Sequence, residues 1–312
     1  MKRKVIQIAN STQLISLPRK WSQKYGIKKG DELDVDDNSS KLIITTEGKL
    51  KFIQVELQPP HLKNITERYV TSCYRSGASE IKIICDPEEI TDLVEYVRLK
   101  MHDQTIGYEL INQGKNFFFI KDLSGGPPTG FDSALRRTFI LLVTSSEDIF
   151  NAIKNQEAKK LRNAYMVDRS INKLTNFCSR YLLTKGLEDS KETIYYYHFL
   201  RSLESLADQY SLMATNYSQS LRGVNKEILE IFQKINYVLH EFYEIFYKYN
   251  KQRLNNLFLE MKSIEPEKLF EIKNANSTLV YFLTTIHRRI KELIDSLIEL
   301  NLENEIGNQL KQ

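Results

Sequence analysis

From Phe131 to about Leu300 the apolar residues of this chain return every three or four positions. Leu135, Phe139, Leu142, Ser146, Ile149 and Ile153 form one such row, and Val224, Ile228, Ile231, Ile235, Val238, Phe242, Ile245 and Tyr249 form another. A period of about 3.6 held over that length commits this part of the chain to long amphipathic helices and excludes a β-rich fold there. Three further rows start at Leu161, Phe199 and Leu279, and a weaker sixth spans Leu254 to Ile272, interrupted near Glu265 and Pro266. Six apolar seams joined by short connections predict an all-α region over 131–305, arranged as two antiparallel three-helix bundles.

The residues before Phe131 read differently. Residues 1–30 contain eight basic side chains (Lys2, Arg3, Lys4, Arg19, Lys20, Lys24, Lys28 and Lys29) and no acid, and residues 31–37 then contain five acids. The whole chain is only +4, so residues 31–312 sum to 4 − 8 = −4. Positive charge concentrated so locally is the electrostatic footprint of a polyanionic partner. Within the same stretch, Lys4–Ile8, Leu14–Leu17, Leu33–Val35 and Leu42–Ile44 read as short strands, with Pro18 ending the second and a short helix over Arg19–Tyr25. Asp37-Asn38-Ser39-Ser40 is a polar loop suited to a hairpin. Four short strands cannot bury a sufficient core alone, so this unit needs a partner, most simply a second copy of itself.

Residues 50–122 alternate strand and helix patterns. Strands are expected over 51–57, 80–85, 106–111 and 116–120, with helices over 61–74 and 86–101, the latter started by Asp86-Pro87-Glu88-Glu89. That order predicts a small α/β unit. The glycine-rich run at 125–130 has no Lys-Ser/Thr and reads as a linker, not a phosphate loop. The fold class expected for the whole chain is therefore α+β and multidomain: a β domain over 1–48, an α/β unit over 50–122 and a helical domain over 131–305.

With 41% hydrophobic and 27% charged residues the composition is that of an ordinary globular protein. No apolar run approaches the roughly 20 residues of a membrane span. Three scattered cysteines, Cys73, Cys85 and Cys178, make neither a zinc spacing nor a disulfide framework, and a reducing cytoplasm is the expected location.

Two resemblances sharpen this. The run Asn10-Ser11, Ile15-Ser16-Leu17-Pro18-Arg19-Lys20-Trp21, followed by Gly26-Ile27-Lys28-Lys29-Gly30-Asp31-Glu32-Leu33-Asp34-Val35, resembles the AbrB/MazE/SpoVT swapped-hairpin DNA-binding domain, over about 45 residues. Ala9 stands where many members have Gly. The resemblance implies a dimer of interleaved hairpins gripping double-stranded DNA. The residues expected to touch DNA are Lys2, Arg3, Lys4, Arg19, Lys20 and Lys24 on phosphates, with Asn10 and Gln13 placed for base edges, since amides pair with adenine. In the helical region, Arg201-Ser202-Leu203-Glu204-Ser205-Leu206-Ala207-Asp208 is similar to the Leu-Glu-x-x-x-Asp signature of PhoU, the phosphate-uptake regulator built of two three-helix bundles. Asp168-Arg169 and Arg180-Tyr181-Leu182 fall where archaeal PhoU-like proteins carry similar residues. The matching place in the second repeat, His287 to Asp295, departs: its Glu292 and Asp295 are three apart rather than four.

Glu204 and Asp208 share one helix face. They are either a salt-bridge row with Arg201 or, as in some PhoU proteins, metal ligands. In the second case carboxylates with His198 nearby would suit Mg, Mn or Fe. No nucleophile elbow, catalytic triad or metalloprotease spacing occurs, so an enzyme is not expected. The expectation is a cytoplasmic transcriptional regulator of phosphate uptake, dimeric on DNA, with the bundles as sensor. The alternative is an adaptor that contacts a phosphate transporter ATPase or a signalling protein, using the hairpins only to dimerise.

Overall fold

The computed structural model describes residues 2–8, 12–38, 41–46, 54–57, 63–124, 129–187, 189–219, 224–272 and 275–309. The chain divides into two compact units, Met1–Lys51 and Phe52–Gln312.

The first unit opens with an antiparallel pair, β1 (Ile6–Ile8) and β2 (Thr12–Leu14), in the register Ile6 to Leu14. Pro18 then caps the short helix α1 (Arg19–Lys24), and Gly26 and Gly30 turn the chain with positive φ. A second antiparallel pair follows, β3 (Leu33–Asn38) and β4 (Lys41–Thr46), closed by a two-residue connection. The first strand, the helix and the turn glycines stand where the patterning predicts them; the second strand lies earlier than the Leu14–Leu17 run and shares only Leu14 with it, and β3 extends through Asp37 and Asn38, which the patterning places in the loop.

The second unit starts with a mixed sheet. β5 (Gln54–Leu57) runs parallel to β6 (Glu80–Ile84) by way of the crossover helix α2 (Lys63–Arg75). Helix α3 (Ile90–Gln104) leads to the antiparallel hairpin β7 (Tyr108–Gln113) and β8 (Phe117–Asp122). The sheet order is β5-β6-β8-β7, with β8 antiparallel to β6 and an irregularity between Leu110 and Asn112. Burial alternates along β6 and β8, so Ile81, Ile83, Phe118 and Ile120 form one buried face. With Val70, Tyr74, Leu93, Val97 and Met101 from the two helices they make a core of their own.

Helices then run to the end: α4 (Phe131–Lys154), α5 (Ala158–Leu161), α6 (Asn163–Thr184), α7 (Ser190–Ser218), α8 (Lys226–Tyr247), α9 (Lys251–Ser263), a 3₁₀ turn (Pro266–Glu271) and α10 (Ser277–Gln309). The described chain is thus mostly helical, with its strands towards the N-terminus. α4, α6 and α7 pack on one another, as do α8, α9 and α10, and α7 lies along α10. All of them share one hydrophobic cluster from Phe131 to Leu297. The predicted seams supply it: Phe139, Leu142, Phe199, Leu203, Ile235, Phe242, Ile286 and Ile290 are all buried. Ser146 is accommodated in an apolar row because its hydroxyl donates to the Val143 carbonyl at 2.8 Å; its own carbonyl accepts from buried Asn236, which in turn accepts from the Tyr210 hydroxyl. No described helix is long and apolar enough to cross a membrane.

Candidate functional site

In the N-terminal unit every basic side chain of the run is exposed: Lys2, Arg3, Lys4, Arg19, Lys20, Lys24, Lys28 and Lys29. Gln13 is exposed too, opposite Gln7 in the β1–β2 pair. Asn10 lies outside the described residues. Lys20 and Lys24 are one turn apart on α1, and Lys24 stands 5.4 Å from the centre of the Tyr25 ring. The first turn of α1 contains no acid, while Arg19 and Lys20 begin it, an order opposed by the helix dipole. None of the described side chains of this unit is buried. Val5, Ile6, Ile8, Val35 and Leu42 are each more than half exposed, at 60, 55, 51, 58 and 62%. Among its described residues a single copy therefore has strands, a short helix and turns but no buried core.

The second cluster lies where α6 and α7 pack together. Glu204 and Asp208 do occupy one face of α7, and they have different partners. Arg201 donates to Glu204 across 3.2 Å, the salt-bridge arrangement. Asp208 instead meets Asp168 of α6, whose carboxyl donates a hydrogen bond to it. Asn172, one turn further along α6, donates to Asp168 Oδ2 at 3.3 Å. Asp168 Oδ1 and Asn172 Oδ1 are buried without a protein partner. Arg75, at the end of α2, faces Arg201 and Glu204.

Burial sets the electrostatics. It pushes the Asp168 carboxyl up to about 7, helped by the charges of Asp208 and Glu204 and by the hydrogen bond to Asp208. Burial also raises Asp208, against the pull of that hydrogen bond and of Arg201. Glu204 is raised by burial as well, with Arg201 and Arg75 opposing. The arrangement stores a proton between Asp168 and Asp208 and balances the remaining charge with two guanidinium groups.

Among the described residues no three His, Cys, Asp or Glu side chains are placed to hold a metal ion. Positive charge is already supplied by Arg201 and Arg75, and His198 is exposed.

No family model, no curated protein and no solved structure matches this chain.

The contacts of two arginines in the helical half were not read from the sequence, although Arg180 itself was named there. The first is Arg289, which donates to Glu292 at 2.8 Å on α10, with the same three-residue spacing as Arg201 and Glu204 on α7. The spacing Arg-x-x-Glu was readable in both helices; the comparison of carboxylate spacings alone hid it. The second is Arg180, a buried residue of α6. It donates to the carbonyls of Tyr74 (2.5 Å) and Ala78 (3.2 Å) and to Asp122 Oδ2 (2.6 Å). Its guanidinium also lies over the rings of Tyr74 and Tyr108, at 4.9 and 5.5 Å. All these partners are more than fifty residues away in the chain, so no local pattern could announce them.

Proposed function

We propose that this chain is a DNA-binding transcriptional regulator of phosphate uptake, acting as a homodimer through its N-terminal unit, with the helical half as the region that receives the signal. One observation carries the reading. The N-terminal unit exposes eight basic side chains and, at the same time, exposes the apolar side chains of its strands. A second copy would cover the apolar residues and give each half a core, while leaving the cations facing outwards. Doubling the acid-free basic run of residues 2–29 suits a duplex, whose phosphates are regularly spaced along two strands. Lys2, Arg3, Lys4, Arg19, Lys20 and Lys24 would position the protein on the backbone, and Gln13 is the described amide available to a base edge. The link to phosphate rests on the resemblance of the helical half to PhoU.

The test is a fluorescence-anisotropy titration of the full chain against a DNA duplex at increasing salt. With about six phosphate contacts per dimer, log affinity should fall against log salt with a slope near −5. A slope near zero overturns the DNA reading. Co-purification of a transporter ATPase together with such a flat slope would instead support the adaptor.

A further inference from the structure

The α/β unit and the helical half keep separate cores. One hydrophobic cluster lies within residues 70–120, the other within residues 131–297. Between them runs a set of polar contacts from one stripe of α6, beside the Tyr74 and Tyr108 rings that face Arg180. Arg169, Asn176 and Arg180 follow at intervals of seven and four, which places them on one side of that helix. Two of them grip the end of α3, and the third grips α2 and β8. Arg169 pairs with Asp103, near the end of α3. Asn176 donates to the Gln104 carbonyl at 3.0 Å and to its side-chain oxygen at 2.9 Å. Arg180 holds the last turn of α2, the carbonyl of Ala78 and Asp122 at the end of β8.

An interface of this composition opens at lower cost than either core unfolds. Its guanidinium, carboxylate and amide groups regain hydrogen bonds from water on separation, whereas separated apolar faces would not. Its specificity is high nonetheless. The Arg180 fork must find two carbonyls and a carboxylate together, and both charged side chains are nearly buried, at 7 and 9% exposure. A mismatched closure would leave a buried charge unpaired, so only one closed register is stable. Along the chain, the N-terminal unit connects to the helices only through the α/β unit.

We propose that this polar seam is a latch: the α/β unit swings off α6 as a folded body, and its closure in one register passes the state of the helical half along the chain. Opening needs no loss of either core: the side chains of Arg169, Asp103, Asn176, Gln104, Arg180 and Asp122 belong to neither hydrophobic cluster, and the core residues Tyr74 and Ala78 meet Arg180 through their carbonyls and the face of the Tyr74 ring.

Hydrogen exchange of the full chain without DNA tests this, so its outcome is separate from that of the salt titration. In the double variant Arg169→Gln/Asn176→Ala, exchange at the end of α3 (residues 101–105) and at 76–79 should quicken about tenfold, with β6, β8 and α10 unchanged. The single variant Asn176→Ala removes two hydrogen bonds and no charge, and should show the same pattern more weakly should the double variant fail to fold. Unchanged exchange at the seam, or acceleration spread evenly through both cores, would overturn the latch.

Discussion

Asp168 is a carboxyl group held far from its ordinary behaviour. Its folded-state value is raised, so the native protein keeps a proton that the unfolded chain releases above about pH 4. The favourable contribution is complete below that pH and is lost as pH rises through about 7, the value set by burial, Asp208 and Glu204. Asp168→Asn cannot ionise and keeps a donor for Asp208. The variant should therefore be stabilised relative to the parent at pH 8, by about 1–2 kcal/mol more than at pH 5. Urea denaturation at the two pH values measures this, and an identical difference at both would contradict the shared proton. Glu204 and Asp208 were legible in the sequence as two acids on one helix face. The Arg201–Glu204 pair is local to α7 and was legible with them; that Asp208 faces Asp168 depended on how α6 lies against α7, a contact spanning some forty residues.

At the scale of elements, a glycine makes one close approach between the α/β unit and α6. Gly77 follows α2 with φ +85°, and a Cβ there would lie 2.3 Å from the Thr184 methyl carbon on α6. Gly77→Ala would combine left-handed strain with that clash and should cost about 2–3 kcal/mol of stability. Adding Thr184→Ala should recover the steric part and leave the backbone part, in a thermal-unfolding double-mutant cycle. A single variant that unfolds like the parent would show that the approach is looser. The helix rows, the alternating strands β6 and β8 and the turn glycines were readable because periodicity and turn chemistry are local. The start of α3 shows where such reading slips. Asp86-Pro87-Glu88-Glu89 signals a helix start, and the chain does turn there, with the Glu89 N–H donating to the Asp86 carbonyl at 3.0 Å. The α-helix itself begins only at Ile90, and Glu89 rather than Asp86 is its cap residue. The signal marked the turn, and the residues after it decided where regular winding began.

For the molecule as a whole, the contrast is between a unit without a core and a unit with two. If a second copy supplies the missing core of the first 51 residues, the unfolding of that part is a bimolecular matter. Exchange protection in β1–β4 of the full chain should then rise with protein concentration, while protection in α7 and α10 stays constant. Concentration-independent protection of the strands would argue for a monomer.

The sequence by itself determined the local elements and their faces: where helical period replaces strand alternation, where the positive charge gathers, which side of each helix is apolar. These follow from bonding and side-chain directions within a few residues. Only the tertiary structure decided which polar side chains meet across elements: Asp168 with Asp208, Arg180 with Asp122 and two carbonyls, Asn176 with Gln104. Such pairs have no periodicity and no fixed spacing. They are set by how whole helices settle against one another once their apolar faces are buried.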